Sequence, residues 1–166
     1  VNLVWNRDNT LAGAAMDGGG GLTQAGRRFV RAAGELGVAV DLSHASEKTF
    51  WDVMETALRP AYCSHSDARA LCDHPRNLTD EQLRALVEHR GCVGLNLCGE
   101  FLGLGRDIPA AVAHVEHFLE LGAEKNLCLG GDLDGIETLP AGMRGVEDME
   151  LLYEALLRRN HPEELV

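Results

Sequence analysis

Two histidines sit at equivalent points of consecutive sequence repeats. Val38-Ala39-Val40-Asp41-Leu42-Ser43 is a mostly apolar run that ends at His44. Ala61-Tyr62-Cys63-Ser64 is a second such run and ends at His65, 21 residues later. That distance is about one strand, one helix and two short loops, so it reads as one βα repeat of a parallel sheet. In such sheets the C-terminal strand ends share one face, where ligands bind. Two imidazoles at neighbouring strand ends could point at one metal ion, and neutral imidazole suits zinc. Zinc would need one or two more ligands, and a catalytic site would keep a position open for water.

Other residues could serve the same mouth. Asp132 and Asp134 follow the apolar run Asn126–Gly131. Asp134-Gly135 is a good turn pair and needs no function. A carboxylate facing His44 and His65, however, could ligate metal or carry a proton. The full EF-hand spacing is missing, which excludes that calcium loop. A haloacid-dehalogenase phosphatase would place Asp-x-Asp early in the chain, with a Thr nearby, and neither holds. Arg76 follows His74-Pro75 and is either a surface charge or a bidentate clamp for a substrate carboxylate. His74 reads as structural. His114 and His117 lie at i and i+3 on a helix that belongs outside the sheet, so they read as surface or packing residues. His89 and His161 carry no signal. Cysteine-based nucleophilic catalysis lacks a Cys–His pairing.

Stepping along the chain gives the elements that must position these groups. Val1–Trp5 reads as a strand and residues 6–21 as loop, with Gly18-Gly19-Gly20-Gly21 as flexible linkage rather than a phosphate loop. Thr23 can cap a helix from Gln24 to Leu36 with Phe29, Val30, Ala33 and Leu36 on one face, ended by Gly37. Val38–Ser43 is the next strand. A helix follows from Ser46 to Leu58, with Phe50, Val53, Met54 and Ala57 on one side, and Pro60 stops it. Ala61–Ser64 is the third strand, and Asp67–Cys72 reads as a short helix. Thr79 caps a helix over Asp80–His89. Cys92–Leu97 is the fourth strand, Gly99–Arg106 a loop, and Ile108–Leu121 an amphipathic helix with Val112, Val115, Phe118 and Leu119 inward. Asn126–Gly131 is the fifth strand. Met149–Arg159 is a helix, and His161-Pro162-Glu163-Glu164 reads as the cap of another.

The alternation predicts an α/β protein with a parallel sheet, one domain over residues 1–166 and about five βα units. A closed eight-unit (β/α) barrel needs about 250 residues, so the expectation is a partial TIM barrel with its first strands missing. The rival is an open doubly wound sheet, which lacks support here because the glycine-rich dinucleotide fingerprint is absent.

Composition narrows the partners. The net charge is −11, which offers no basic patch for nucleic-acid phosphates or for an anionic membrane surface. The five cysteines (63, 72, 92, 98 and 128) are odd in number and contain no CxxC pair, so they read as free thiols of a reducing, cytoplasmic compartment. No apolar run has membrane-spanning length and no signal peptide is recognisable.

Several motifs then resemble one family in order and spacing. Asp41-Leu42-Ser43-His44, Ser64-His65-Ser66, His74-Pro75-Arg76-Asn77-Leu78 and Gly130-Gly131-Asp132-Leu133-Asp134-Gly135 are similar to the renal (membrane) dipeptidases and their bacterial relatives. These are zinc dipeptidases of the amidohydrolase-like barrel group. The resemblance runs from about Asn2 to the end. It implies that His44 and His65 bind one of two zinc ions joined by a bridging carboxylate. It further implies that Asp132 is the acid–base residue and that Arg76, with Asn77 beside it, holds the carboxylate of a dipeptide. The implied reaction is metal-dependent hydrolysis of the dipeptide bond, with Asp132 relaying a proton to the leaving amine.

Two departures shape the expectation for this chain. The family's His-x-Asp pair and bridging Glu lie upstream of the matched region, and no residue before His44 replaces them. Trp5 stands where the family has a substrate-contacting His. At most one zinc is therefore expected, at His44 and His65, with low or no activity of this chain alone. The rival from another class is a noncatalytic fragment that assembles through open sheet edges, as a homo-oligomer or with a partner supplying the missing strands. A third reading is another metal-dependent amidohydrolase-type enzyme acting on a phosphoester or cyclic amide.

Overall fold

In a computed structural model, which describes residues 1–165, five extended segments lie side by side in chain order. Asn2 bridges Asp41, Asp41 bridges Tyr62 and Cys63 bridges Val93, all in parallel. Strand β1 (Val93–Leu95) then pairs in parallel with β2 (Leu127–Leu129), Val93 opposite Leu127. The α/β class and the parallel sense follow from the helices between these segments, since parallel neighbours need a crossover.

The extended segments are shorter as strands than the apolar runs suggest. The ladder itself is present: Leu42 N–H donates to Tyr62 O, Tyr62 N–H to Val40 O and Cys63 N–H to Cys92 O. Towards the C-terminal ends, side-chain carboxylates replace it. Asp41 Oδ1 accepts the N–H groups of Ser43 and Ser64, and Asp67 Oδ1 accepts that of Asn96. The amides are satisfied, but not by neighbouring backbone. Two glycines permit the tight approach of these segments. A Cβ on Gly94 or on Gly130 would run into the carbonyl oxygen of Ser64.

Four helices carry side-chain caps. Thr23 accepts from Gly26 N–H at the start of α1 (Gln24–Glu35), and Ser46 from Thr49 N–H at α2 (Glu47–Thr56). Thr79 and Gln82 form a reciprocal capping box at α3 (Asp80–Glu88). Asp107 caps α5 (Ile108–Glu120), which packs against β1 and against α6 (Glu150–Arg158). The core between helices and sheet includes Val30, Phe50, Val53, Leu83, Leu86, Leu95, Val112, Phe118 and Leu152, all fully buried. Each such side chain contributes roughly 1.5–3 kcal/mol on burial.

Four local expectations are corrected. On α1, Val30 and Ala33 face the core, but Phe29 and Leu36 are exposed; Gly26 and Gly34 sit on the inner face instead. Asp67–Cys72 is a single turn, because Leu78 N–H takes the Asp67 carbonyl and Ala68 bridges Leu78. The Gly99–Arg106 stretch contains a short helix, α4 (Gly99–Leu102). The glycine run is clamped rather than free: Ser46 Oγ and Thr49 Oγ1 both donate to Gly20 O, and Asp52 accepts from Leu22 N–H. A 3₁₀ turn, Val146–Asp148, precedes α6. Where a further helix is expected past His161, residues 163–165 form a turn, and Val166 lies outside the described residues.

Candidate active site

The two imidazoles meet as their spacing predicts. His44 Nε2 and His65 Nε2 are 3.0 Å apart at the C-terminal ends of adjacent segments. Each ring is held from behind through Nδ1. His44 Nδ1 is 3.0 Å from Asn6 Oδ1, and His65 Nδ1 is 2.7 Å from Ser64 Oγ. The backbone of His44 is fixed as well, since Ala15 N–H donates to its carbonyl. His65 N–H donates to Ser43 Oγ.

Arg76 enters from the following loop and is almost fully buried. Its Nη2 lies 3.4 Å from His44 Nε2 and 3.4 Å from the His65 carbonyl. Its Cζ sits 5.6 Å from the centre of the Phe101 ring, a cation–π distance. Its Nη1 has no hydrogen-bond partner among the described residues. Asp132 completes the group, with Oδ2 4.0 Å from His65 Nε2. Asp132 has φ 56°, a left-handed conformation that Asp tolerates and that sits more often at functional turns. All four residues line one cavity of about 800 Å³, together with Trp5 and Phe101.

Electrostatics keep both imidazoles neutral. Burial is the main reason that His44 is pushed down to about 3, helped by the Arg76 guanidinium and by His65 and opposed by Asp41. His65 is lowered by burial and Arg76, against Asp132 and Asp41. Burial pushes the Asp41 carboxyl up, but the hydrogen bonds it accepts from Ser64 and Ser43 outweigh it, and the group lies below its ordinary value. Burial raises Asp67 well above its ordinary value. Neutral imidazole is the form that binds a metal. Two facing ring nitrogens whose other nitrogens are already engaged fit a shared cation. Among the described residues, however, no group of three or more His, Cys, Asp or Glu side chains is placed to hold a metal.

Not every expected residue reaches the cavity. Asn77 is buried and does not line the cavity, and its amide donates to the carbonyls of Cys72 and Phe101. That ties the Arg76 loop to α4 and leaves no donor for a substrate. Asp134 is exposed and does not line the cavity. Trp5 does, 71% exposed, with its ring 6.2 Å from that of His44. His114 is wholly buried and structural: its Nδ1 accepts from Ala68 N–H and its Nε2 faces the Leu102 carbonyl. His117 is in contact with Asp80 at 2.9 Å.

Sequence reasoning missed Asn6, Asp41, Ser64 and Phe101 as parts of this site. Asp41 had a readable signal, because an acid inside an otherwise apolar strand must be compensated. Asn6 and Phe101 had none, since they fall in stretches without periodicity.

Comparison with known proteins gives the family. The family model for membrane dipeptidases (peptidase family M19) matches residues 1–166. The chain belongs to this family. An uncharacterized dipeptidase of Schizosaccharomyces pombe is 37% identical over 166 residues, covering 96% of this chain and 41% of that protein. A metallopeptidase of Rhodobacter sphaeroides, solved with a phosphinate mimic of the dipeptide L-Ala-D-Ala, superposes with a TM-score of 0.91 at 34% identity. It covers 99% of this chain and 50% of its own. An amidohydrolase of Pseudomonas aeruginosa gives 0.89 at 28% identity, covering 99% of this chain and 59% of its own. The chain thus spans about half the length of the relatives it matches.

Proposed function

We propose that this chain carries part of the active site of a zinc dipeptidase built on a (β/α) barrel, of which it forms about five units. The observation that carries the reading is the convergence of His44 Nε2, His65 Nε2, Arg76 and Asp132 on one cavity. His44 and His65 would hold one zinc ion. A bound zinc supplies Lewis acidity and a water made acidic enough to attack at neutral pH. The remaining chemistry belongs to the protein. Arg76, which lines the cavity with its Nη2 beside His44, is the proposed binding point for the carboxylate of a dipeptide. Asp132 lies near enough to His65 to move a proton between the attacking water and the departing amine. The parallel order of the five segments supports the partial barrel. The relatives' names and the dipeptide mimic bound to the Rhodobacter enzyme support the substrate class.

The test is zinc content and dipeptide hydrolysis with added zinc, for the wild type and His65→Ala. One zinc per chain, lost in His65→Ala, is the expected outcome, with turnover low because two imidazoles leave the metal under-ligated. Absence of zinc in the wild type would remove His44 and His65 as a metal pair. A second reading, a noncatalytic fragment that associates through its sheet edge, is favoured by β2, whose Cys128 and Leu129 are exposed.

A further inference from the structure

The hydrogen bonds behind His65 have only one consistent set of directions. Asp41 is surrounded by two backbone amides and two hydroxyls, the setting of an ionised carboxylate, which can only accept. Ser64 Oγ lies 2.5 Å from Asp41 Oδ2, so the Ser64 hydroxyl proton is given to Asp41. Ser43 Oγ lies 2.8 Å from Asp41 Oδ1, so its proton is given there too. The Ser43–Ser64 contact of 3.1 Å then has no proton left to share. Ser64 Oγ is left with lone pairs alone towards His65 Nδ1, 2.7 Å away. A bond that short requires the proton on Nδ1. Nε2 is therefore bare, and it is the nitrogen that faces His44 and the cavity.

From this geometry we infer that Asp41, acting through the Ser64 hydroxyl, is a positioning residue that fixes the tautomer and orientation of His65. The carboxylate touches neither substrate nor the ring. It determines which way a serine points, and the serine determines which imidazole nitrogen is free. Partners of this kind raise ligand basicity and hold ring orientation at metal centres. Asp41 is suited to the task because the same carboxylate also accepts the Ser43 and Ser64 amides, so it is held from its own segment and from the next one. The consequence for zinc rests on the proposed role of His65 as a ligand; the tautomer does not.

The experiment is a pair of measurements on this chain. Two-bond proton–nitrogen correlation spectra of the metal-free, histidine-labelled protein at neutral pH report the tautomer. In the wild type, His65 is expected to show a protonated Nδ1 and a bare Nε2. Ser64→Ala removes the acceptor and should release the ring towards the Nε2–H form, while Ser64→Thr keeps the hydroxyl and should restore the wild-type pattern. Asp41→Asn can donate to Ser64 instead, turning the serine proton onto Nδ1 and moving the ring proton to Nε2. Zinc titration of the same proteins should show affinity roughly 10–100-fold weaker in Ser64→Ala and recovered in Ser64→Thr. A wild-type His65 protonated on Nε2 would overturn the inference, as would a folded Ser64→Ala protein with an unchanged His65 pattern. If the wild type binds no zinc but the spectra behave as stated, the metal reading fails and the relay stands.

Discussion

At the scale of single residues, Arg76 shows how a site is maintained against stability. Its guanidinium is almost entirely removed from water, one nitrogen has no partner, and no carboxylate of the described residues forms an ion pair with it. An unpaired buried cation of this kind costs several kcal/mol before any compensation. The Phe101 face and the nearby acids recover part of that. Replacing the charge by a chain of similar volume should therefore stabilise the fold. Arg76→Met is expected to be about 1–3 kcal/mol more stable, a rise of roughly 2–12 °C in Tm by calorimetry for a domain of this size. It should at the same time lose binding of a dipeptide measured by calorimetric titration. A lower Tm would mean that Arg76 is held by interactions this account undervalues. Arg76, His44, His65 and Asp132 were legible in the sequence because each is a polar residue at or just beyond the end of an apolar run or a Pro turn. Asn77 was not: adjacency to Arg76 suggested a shared task, yet the backbone turn at His74–Asn77 sends its amide to Cys72 and Phe101.

At the scale of elements, α5 holds the Arg76 loop in place through His114. The Nδ1 of that ring accepts the Ala68 amide at the start of the loop, and its Nε2 donates to the carbonyl of Leu102 at the end of α4. Both bonds need a neutral imidazole with its proton on Nε2. Burial pushes His114 down to about 4, with a bond to Leu102 opposing and His117 adding a little repulsion. The sign follows directly. The folded value lies below the ordinary 6.5, so the contribution is full above pH 6.5 and is lost as pH falls towards 4. That difference corresponds to about 3 kcal/mol. Urea unfolding should give a wild-type midpoint that drops between pH 7 and pH 4.5. His114→Gln can accept through Oε1 and donate through Nε2 without titrating, so its drop should be clearly smaller. Equal drops in the two proteins would assign the acid sensitivity to other groups. The helices were legible because Thr23, Ser46 and Thr79 announce their starts and the apolar period continues behind them. The strand lengths and the glycine run were not. Whether an N–H is taken by a neighbouring strand or by Asp41 or Asp67, and whether four glycines flex or are gripped by Ser46 and Thr49, depends on partners far away in sequence.

At the scale of the whole molecule, strand order was legible and its edge was not. Alternating apolar runs and helices dictate parallel neighbours in sequence order, which is the order found from Asn2 through Asp41, Tyr62 and Val93 to Leu127. What the pattern does not show is the exposure of the last strand. A buried parallel strand and an edge strand are equally apolar in sequence, and β2 reads Leu-Cys-Leu. In the fold, β2 pairs only with β1 among the described residues, and Leu129 is 46% exposed with Cys128 exposed beside it. An exposed apolar edge strand is a template for another strand. The exposed apolar surface adds to the drive for association. The expected outcome is that the chain self-associates at micromolar concentration, seen as a mass above 18.0 kDa by light scattering. Leu129→Lys places a charge on that edge and should shift the population to monomer, with circular dichroism unchanged because the residue lies outside the packed core. His44 and His65 follow segments three and two places away from β2 in the sheet, so zinc binding should be unaffected. If the wild type is already a monomer at that concentration, the edge is not an assembly surface, and the noncatalytic reading loses its support.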